Sequence, residues 1–153
     1  MLVLGLGNLL LSDEGAGVHV AQALQALAPP PEGVEIVDGG TSGMDLLDTI
    51  ARRDRPTVID AIRADAPPGT IVRLDGDAVQ AFFRTRISPH QLGLSEVLAV
   101  LALTDEQPHE VEIIGIVPED LSLGMTLSPS VAAACERVIA EMTSRFANGC
   151  PGQ

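Results

Sequence analysis

Apolar residues are spaced in two alternating ways along this chain. Leu2–Leu6 (LVLGL) is a continuous apolar run followed by Gly7, the pattern of a short strand buried on both faces. From Ser12 the period becomes helical. Ser12 is a natural N-cap, Asp13 and Glu14 fall in the first turn, and Val20, Ala23, Leu24 and Leu27 recur at core-facing spacing. VEIVD (34–38) predicts a second strand, GMDLLDTIARR (43–53) a second helix and TVIDA (57–61) a third strand. TIVRLD (70–75) follows the turn APPG and reads as another strand, and a looser region holds Phe82 and Phe83. ISPHQLGLSEVLAVLAL (87–103) is a strong third helix, VEIIGIVP (111–118) the last strand, and SPSVAAACERVIAEMTSRF (128–146) the last helix. This alternation predicts an α/β three-layer sandwich: a mainly parallel, twisted sheet of about five strands with helices on both faces. No helix separates TVIDA from TIVRLD, so one strand there is expected to be antiparallel. The organisation reads as a single domain over residues 1–147 and a flexible tail over 148–153.

Such a sheet says where chemistry belongs. Ligands of open α/β sheets sit outside the carboxyl ends of the strands, where the strand order reverses. The first strand ends at Gly5-Leu6-Gly7-Asn8, the second at Asp38-Gly39-Gly40-Thr41 and the third at Asp60. Glu14 opens the helix after the first strand, so Glu14, Asp38 and Asp60 are expected to converge on one edge. Gathered like charges repel, and a bound cation relieves them. Blander roles exist for two of the three. A glutamate in a first helical turn complements the helix dipole, and an aspartate before two glycines is a good turn residue. Asp60 is harder to dismiss, because an acid between Ile59 and Ala61 on a buried strand carries a desolvation cost unless paired or functional.

Composition narrows the partners. The 153 residues are 46% apolar and carry 9 basic against 21 acidic side chains, a net charge of −12. That balance disfavours polyanionic partners, whether nucleic acid or an anionic membrane surface. No targeting segment is evident: Leu2–Leu6 is too short and lacks a basic flank. Cys135 sits in a helical pattern and Cys150 near the end, which is no disulfide framework, so a reducing cytoplasmic setting is expected.

Histidine supplies the missing donor type. His19 lies off the apolar stripe of the first helix and His109 in a loop, so both read as solvated surface residues. His90 differs, because in ISPHQL Ser88 can cap the helix, Pro89 fits its first position and Gln91 completes a capping-box spacing. In a first turn the dipole disfavours the imidazolium, which leaves a nitrogen lone pair for a metal. Glu14, Asp60 and His90 would then offer two oxygens and one nitrogen with a vacant position, the arrangement of a catalytic or exchangeable metal site. Other motifs fail on spacing. HExxH is absent, GxSxG breaks at Met44, and GxGxxG has Leu10 where its third glycine belongs.

Taken in order, GLGN, SDEGAG, DGGTSGMDLL, the Asp of VIDA, ISPHQLGL and IIGIVPE resemble the hydrogenase maturation proteases, with matching spacing from residue 3 to about 119. The resemblance implies an endopeptidase that removes a short C-terminal extension from the large-subunit precursor of a nickel–iron hydrogenase. It implies a metal site at Glu14, Asp60 and His90, occupied by nickel that arrives with the precursor or by another divalent ion. It also implies that Asp38 and the stretch Gly39, Gly40, Thr41, Ser42 and Gly43 take part in cleavage and substrate choice. A cytoplasmic monomer would suffice for this task. Two other readings use the same residues: a non-catalytic nickel chaperone built on the three ligands, and a dinucleotide-binding module built on GLGN and Asp38.

Overall fold

The computed structural model describes residues 1–85 and 89–149; the side chain of His90 also lies outside the description. Five strands form one sheet in the order β2-β1-β3-β5-β4. They are β1 (Leu2–Leu6), β2 (Glu35–Gly40), β3 (Thr57–Ala61), β4 (Ile71–Leu74) and β5 (Glu112–Ile116). The first four in that order run parallel, and β4 pairs antiparallel with β5 at the edge, as the missing crossover helix required. Five helices flank them: α1 (Ala16–Leu27), α2 (Leu47–Ile50), α3 (Gly76–Phe83), α4 (Pro89–Leu103) and α5 (Pro129–Ala147).

The central strands β1, β3 and β5 are buried on both faces, which the continuous apolar run of β1 foretold for that strand. Alternation along each strand builds two cores. Val3, Ile59, Ile114 and Ile116 face α1 and α5, while Leu2, Leu4, Val58 and Ile113 face α2, α3 and α4. Each fully buried Leu or Ile contributes about 1.5–3 kcal/mol. At the amino edge of the sheet, Glu112 of β5 is held from below. Its carboxylate accepts from Arg145 Nη1 and Nη2, at 2.8 and 3.0 Å, and from the Thr57 hydroxyl at 2.9 Å. Burial works to raise the Glu112 pKa, and these donors more than offset it, leaving the acid below its usual range.

Several expectations are corrected. Ser12 does not cap a helix; it adopts φ 51° at the start of a 3-10 turn, Ser12–Gly15, and its hydroxyl donates to the Ser122 carbonyl at 2.7 Å. Leu27 is 64% exposed, because α1 has by then run past the sheet. The second helix shrinks to a 3-10 turn (Met44–Leu46) and the single turn of α2, and Phe82 and Phe83 end the helix α3 rather than a loose segment. His19 is half-buried, with its Nε2 atom enclosed and without a hydrogen-bond partner among the described residues. The expected Ser88 cap and the tail from residue 150, including Cys150, lie outside the described residues.

One contact locates α1 on the sheet. A Cβ placed on Gly17 would stand 2.0 Å from the Ile59 carbonyl oxygen and 2.4 Å from that of Leu6. Backbone therefore rests on backbone there. Gly17→Ala must push α1 off β1 and β3 and is expected to cost at least the roughly 1–3 kcal/mol of an overpacked core. The chain has no Trp or Tyr, so the urea midpoint is to be read by circular dichroism; an unchanged midpoint would refute this account of the contact.

Candidate active site

β1 is followed by β2 on one side and, after α2, by β3 on the other, so the strand order reverses between β1 and β3. The crevice at their carboxyl ends is the expected ligand position. The loop after β1 is folded tightly over it. Gly7 takes φ 139° with its α-carbon pressed under the Glu14 carbonyl, a position no side chain could occupy. The Asn8 side chain accepts the Leu10 amide at 2.9 Å, and the Asn8 amide reaches the Glu14 carbonyl at 3.2 Å. These bonds carry the chain back to the 3-10 turn Ser12–Gly15, which packs against β3.

Within that turn the two acids part company. Asp13 is wholly buried. Its Oδ2 accepts the amides of Glu119 and Asp120, both at 2.9 Å, and the Ser128 hydroxyl at 2.8 Å; its Oδ1 accepts the Ser128 amide at 2.7 Å. Burial works to raise its pKa, but the donors from Asp120, Ser128 and Glu119 prevail and hold it below the usual carboxylate value. Asp13 thus ties the turn to the segment between β5 and α5. Glu14, the next residue, is half-buried at the crevice edge.

Asp60 is the penultimate residue of β3 and only 2% exposed. It alternates with Ile59 and Ala61, so it points to the α4 face, where Gln91 Nε2 donates to its Oδ2 at 2.9 Å and to the Ala61 carbonyl at 3.0 Å. His90 occupies the second residue of α4, directly before Gln91, and its side chain lies outside the described residues. Among the described residues no three His, Cys, Asp or Glu side chains gather around one point. The donor types suit a divalent cation: Asp60 is a buried carboxylate that accepts from the neutral amide of Gln91, and the turn that carries Glu14 packs on the same strand.

Asp38 does not join them. β2 continues through Gly40, and Gly5 pairs with Asp38 but Leu6 with Gly40, so Gly39 is a bulge. The Asp38 side chain lies on the α1 face, opposite to that of Asp60, and its Oδ2 accepts Gln22 Nε2 at 2.9 Å. Its Oδ1 takes the Gly40 amide at 3.0 Å and so shapes the entry to Thr41, Ser42 and Gly43. Two residues central to this edge, Asp13 and Gln91, were read from the sequence only as a first-turn acid and a capping-box partner. Gln91 carried a signal, for it stands in register with Leu94, Val97 and Leu101 on the buried stripe of α4. Asp13 carried none, since its partners are 106 to 115 positions away.

An α/β protein with a buried carboxylate, Asp60, at its switch point is thereby defined, and comparison with known proteins gives the family. The sequence model of the hydrogenase maturation protease family HycI matches residues 18–145. The hydrogenase 2 maturation protease of Escherichia coli is 42% identical, with 99% of this chain and 95% of that protein covered. The solved structure of the hydrogenase-maturating endopeptidase HybD from Escherichia coli superposes with a TM-score of 0.88 at 42% identity, covering 97% of this chain and 93% of that one. A [NiFe] hydrogenase maturation protease from Thermococcus kodakarensis follows at 0.79 and 30% identity, covering 95% and 97%. This chain belongs to the hydrogenase maturation protease family and is a peptidase of that kind.

Asp13→Asn turns an acceptor oxygen into a donor facing other donors, and is expected to cost about 2–4 kcal/mol at pH 7. The folded pKa is depressed. The wild-type advantage is therefore complete above about pH 4, the unfolded value, and is lost as pH falls through the lower folded one. Urea titrations should show the two midpoints converging in acid; a gap that widens there would contradict the assignment.

Proposed function

We propose that this peptidase removes a short C-terminal extension from the large-subunit precursor of a nickel–iron hydrogenase, and that it recognises the precursor through the nickel already loaded in it. The names of its relatives support hydrogenase processing. One observation carries the reading to this cleft: the buried Asp60 carboxylate at the β1/β3 switch point, beside the turn that bears Glu14 and under the first turn of α4. Glu14, Asp60 and His90 hold the ion that the precursor delivers; another divalent metal can take its place. A cation held there polarises the scissile carbonyl or lowers the pKa of a water.

The chain's own residues supply the rest. Asp38 sets the turn at Gly40, and Gly39, Gly40, Thr41, Ser42 and Gly43 receive the substrate strand along that loop. Asp13 holds the turn that aims Glu14. The net charge of −12 disfavours nucleic acid and membrane surfaces as partners, and among the described residues no helix is long and apolar enough to cross a membrane. A cytoplasmic monomer meets the need. A dinucleotide role is disfavoured because the turn leading into α1 carries Asp13 and Glu14 where phosphate would bind.

The test is mass spectrometry of a candidate precursor incubated with the protein, with and without nickel. Nickel-dependent loss of a C-terminal peptide is expected. Asp60→Asn, Glu14→Gln and His90→Ala should each slow it by about two orders of magnitude or more, the scale of losing one group that stabilises developing charge. Full cleavage by folded Asp60→Asn protein would sink the metal reading, and nickel binding without any cleavage would make the chain a chaperone.

A further inference from the structure

We infer that Gln91 is a positioning residue, whose side-chain amide sets the orientation of the Asp60 carboxylate and locks the first turn of α4 to the end of β3. The inference rests on the metal-site reading of the cleft and names the part that gives that site its geometry.

A primary amide has two N–H hydrogens, and here both have buried partners. One goes to Asp60 Oδ2 at 2.9 Å and the other to the Ala61 carbonyl at 3.0 Å. Gln91 itself is 4% exposed, Asp60 2% and Ala61 7%. The terminal torsion of an aspartate is broad and roughly two-fold, so an unrestrained carboxylate swings freely. A donor held rigidly on one oxygen removes that freedom. Because the same nitrogen also grips the main-chain carbonyl of the following residue, the donor is fixed relative to the strand as well as to the acid.

Glutamine suits this role better than a cation would. Arg or Lys would orient the carboxylate too, but would place a positive charge where a divalent ion must bind. A neutral amide orients the acid and adds no charge. Outer partners of metal ligands commonly work in this way. The position of α4 is also fixed from a second side. A Cβ on Gly93 would lie 3.1 Å from the Gly43 α-carbon, so the helix meets the Thr41–Gly43 loop nearly backbone to backbone. Two contacts thus set the first turn of α4, one through Gln91 to β3 and one through Gly93 to the substrate loop. His90 directly precedes the first of them in the chain.

Gln91→Met keeps length and volume and removes both donors; Gln91→Ala is the second variant, because its vacated space admits water to the Ala61 carbonyl and favours folding. With the fold verified by circular dichroism, Ni2+ affinity of the purified full chain is measured by calorimetry, and precursor cleavage is resolved into kcat and KM. The expected result is a Ni2+ affinity weakened about 10–100-fold, a kcat that falls with it, and a KM for the precursor within about two-fold of wild type, as for a group that acts only on the reacting geometry. Folded variants with wild-type Ni2+ affinity and kcat would overturn the inference. If wild-type protein cleaves without binding Ni2+, the metal reading fails, and the kcat of the variants alone decides on Gln91. If it binds Ni2+ and cleaves nothing, the peptidase reading of this site fails, and the affinity alone decides. A wild-type chain that does neither overturns both.

Discussion

The backbone of α1 rests on the carboxyl ends of β1 and β3 with no side chain between them at Gly17, and the cleft exists because of that contact. A helix held at side-chain distance would leave the 3-10 turn Ser12–Gly15 standing away from β3. Close approach instead brings the turn down onto the strand that carries Asp60. The reversal of strand order at the same place leaves the crevice open on the other side, since the chain leaves β1 for β2 before returning to β3. Helix contact and topology together bring the turn that carries Glu14 onto the strand that carries Asp60.

Adjacent acids in that turn have opposite fates, and the number of donors explains why. Asp13 points inward to four donors from the β5–α5 segment and becomes a structural knot. Glu14 stays at the rim. A buried carboxylate with several amide donors is a stable tie only while it is ionised, so the turn that presents Glu14 is secured by electrostatics as well as by packing. The segment tied down in this way also pairs with the opening loop, since the Ser12 amide donates to the Gly124 carbonyl and the Gly124 amide to that of Leu10.

The two edges of the sheet handle buried acid differently. At the amino edge Glu112 meets Arg145 in a two-pronged ion pair, and the charges cancel. At the carboxyl edge the described donor to Asp60 is the uncharged amide of Gln91. The first arrangement serves stability. The second adds no positive charge beside Asp60.

Much of this was legible in the sequence, because it depends on local period. An unbroken apolar run marked β1 as doubly buried, helical spacing marked α1, α4 and α5, and the missing crossover marked one edge strand as antiparallel. Strand ends and the start of the first helix led to the expectation that Glu14, Asp38 and Asp60 share one edge. What the sequence could not decide was set by contacts remote along the chain. The pleat of β2 puts Asp38 on the face of Ile36, toward α1 and opposite to Asp60, a consequence of register rather than of residue type. Asp13 and Gln91 took their roles from partners 31 to 115 positions away. A side chain's local neighbours determine the element it joins, but only the packed fold determines which donor it meets.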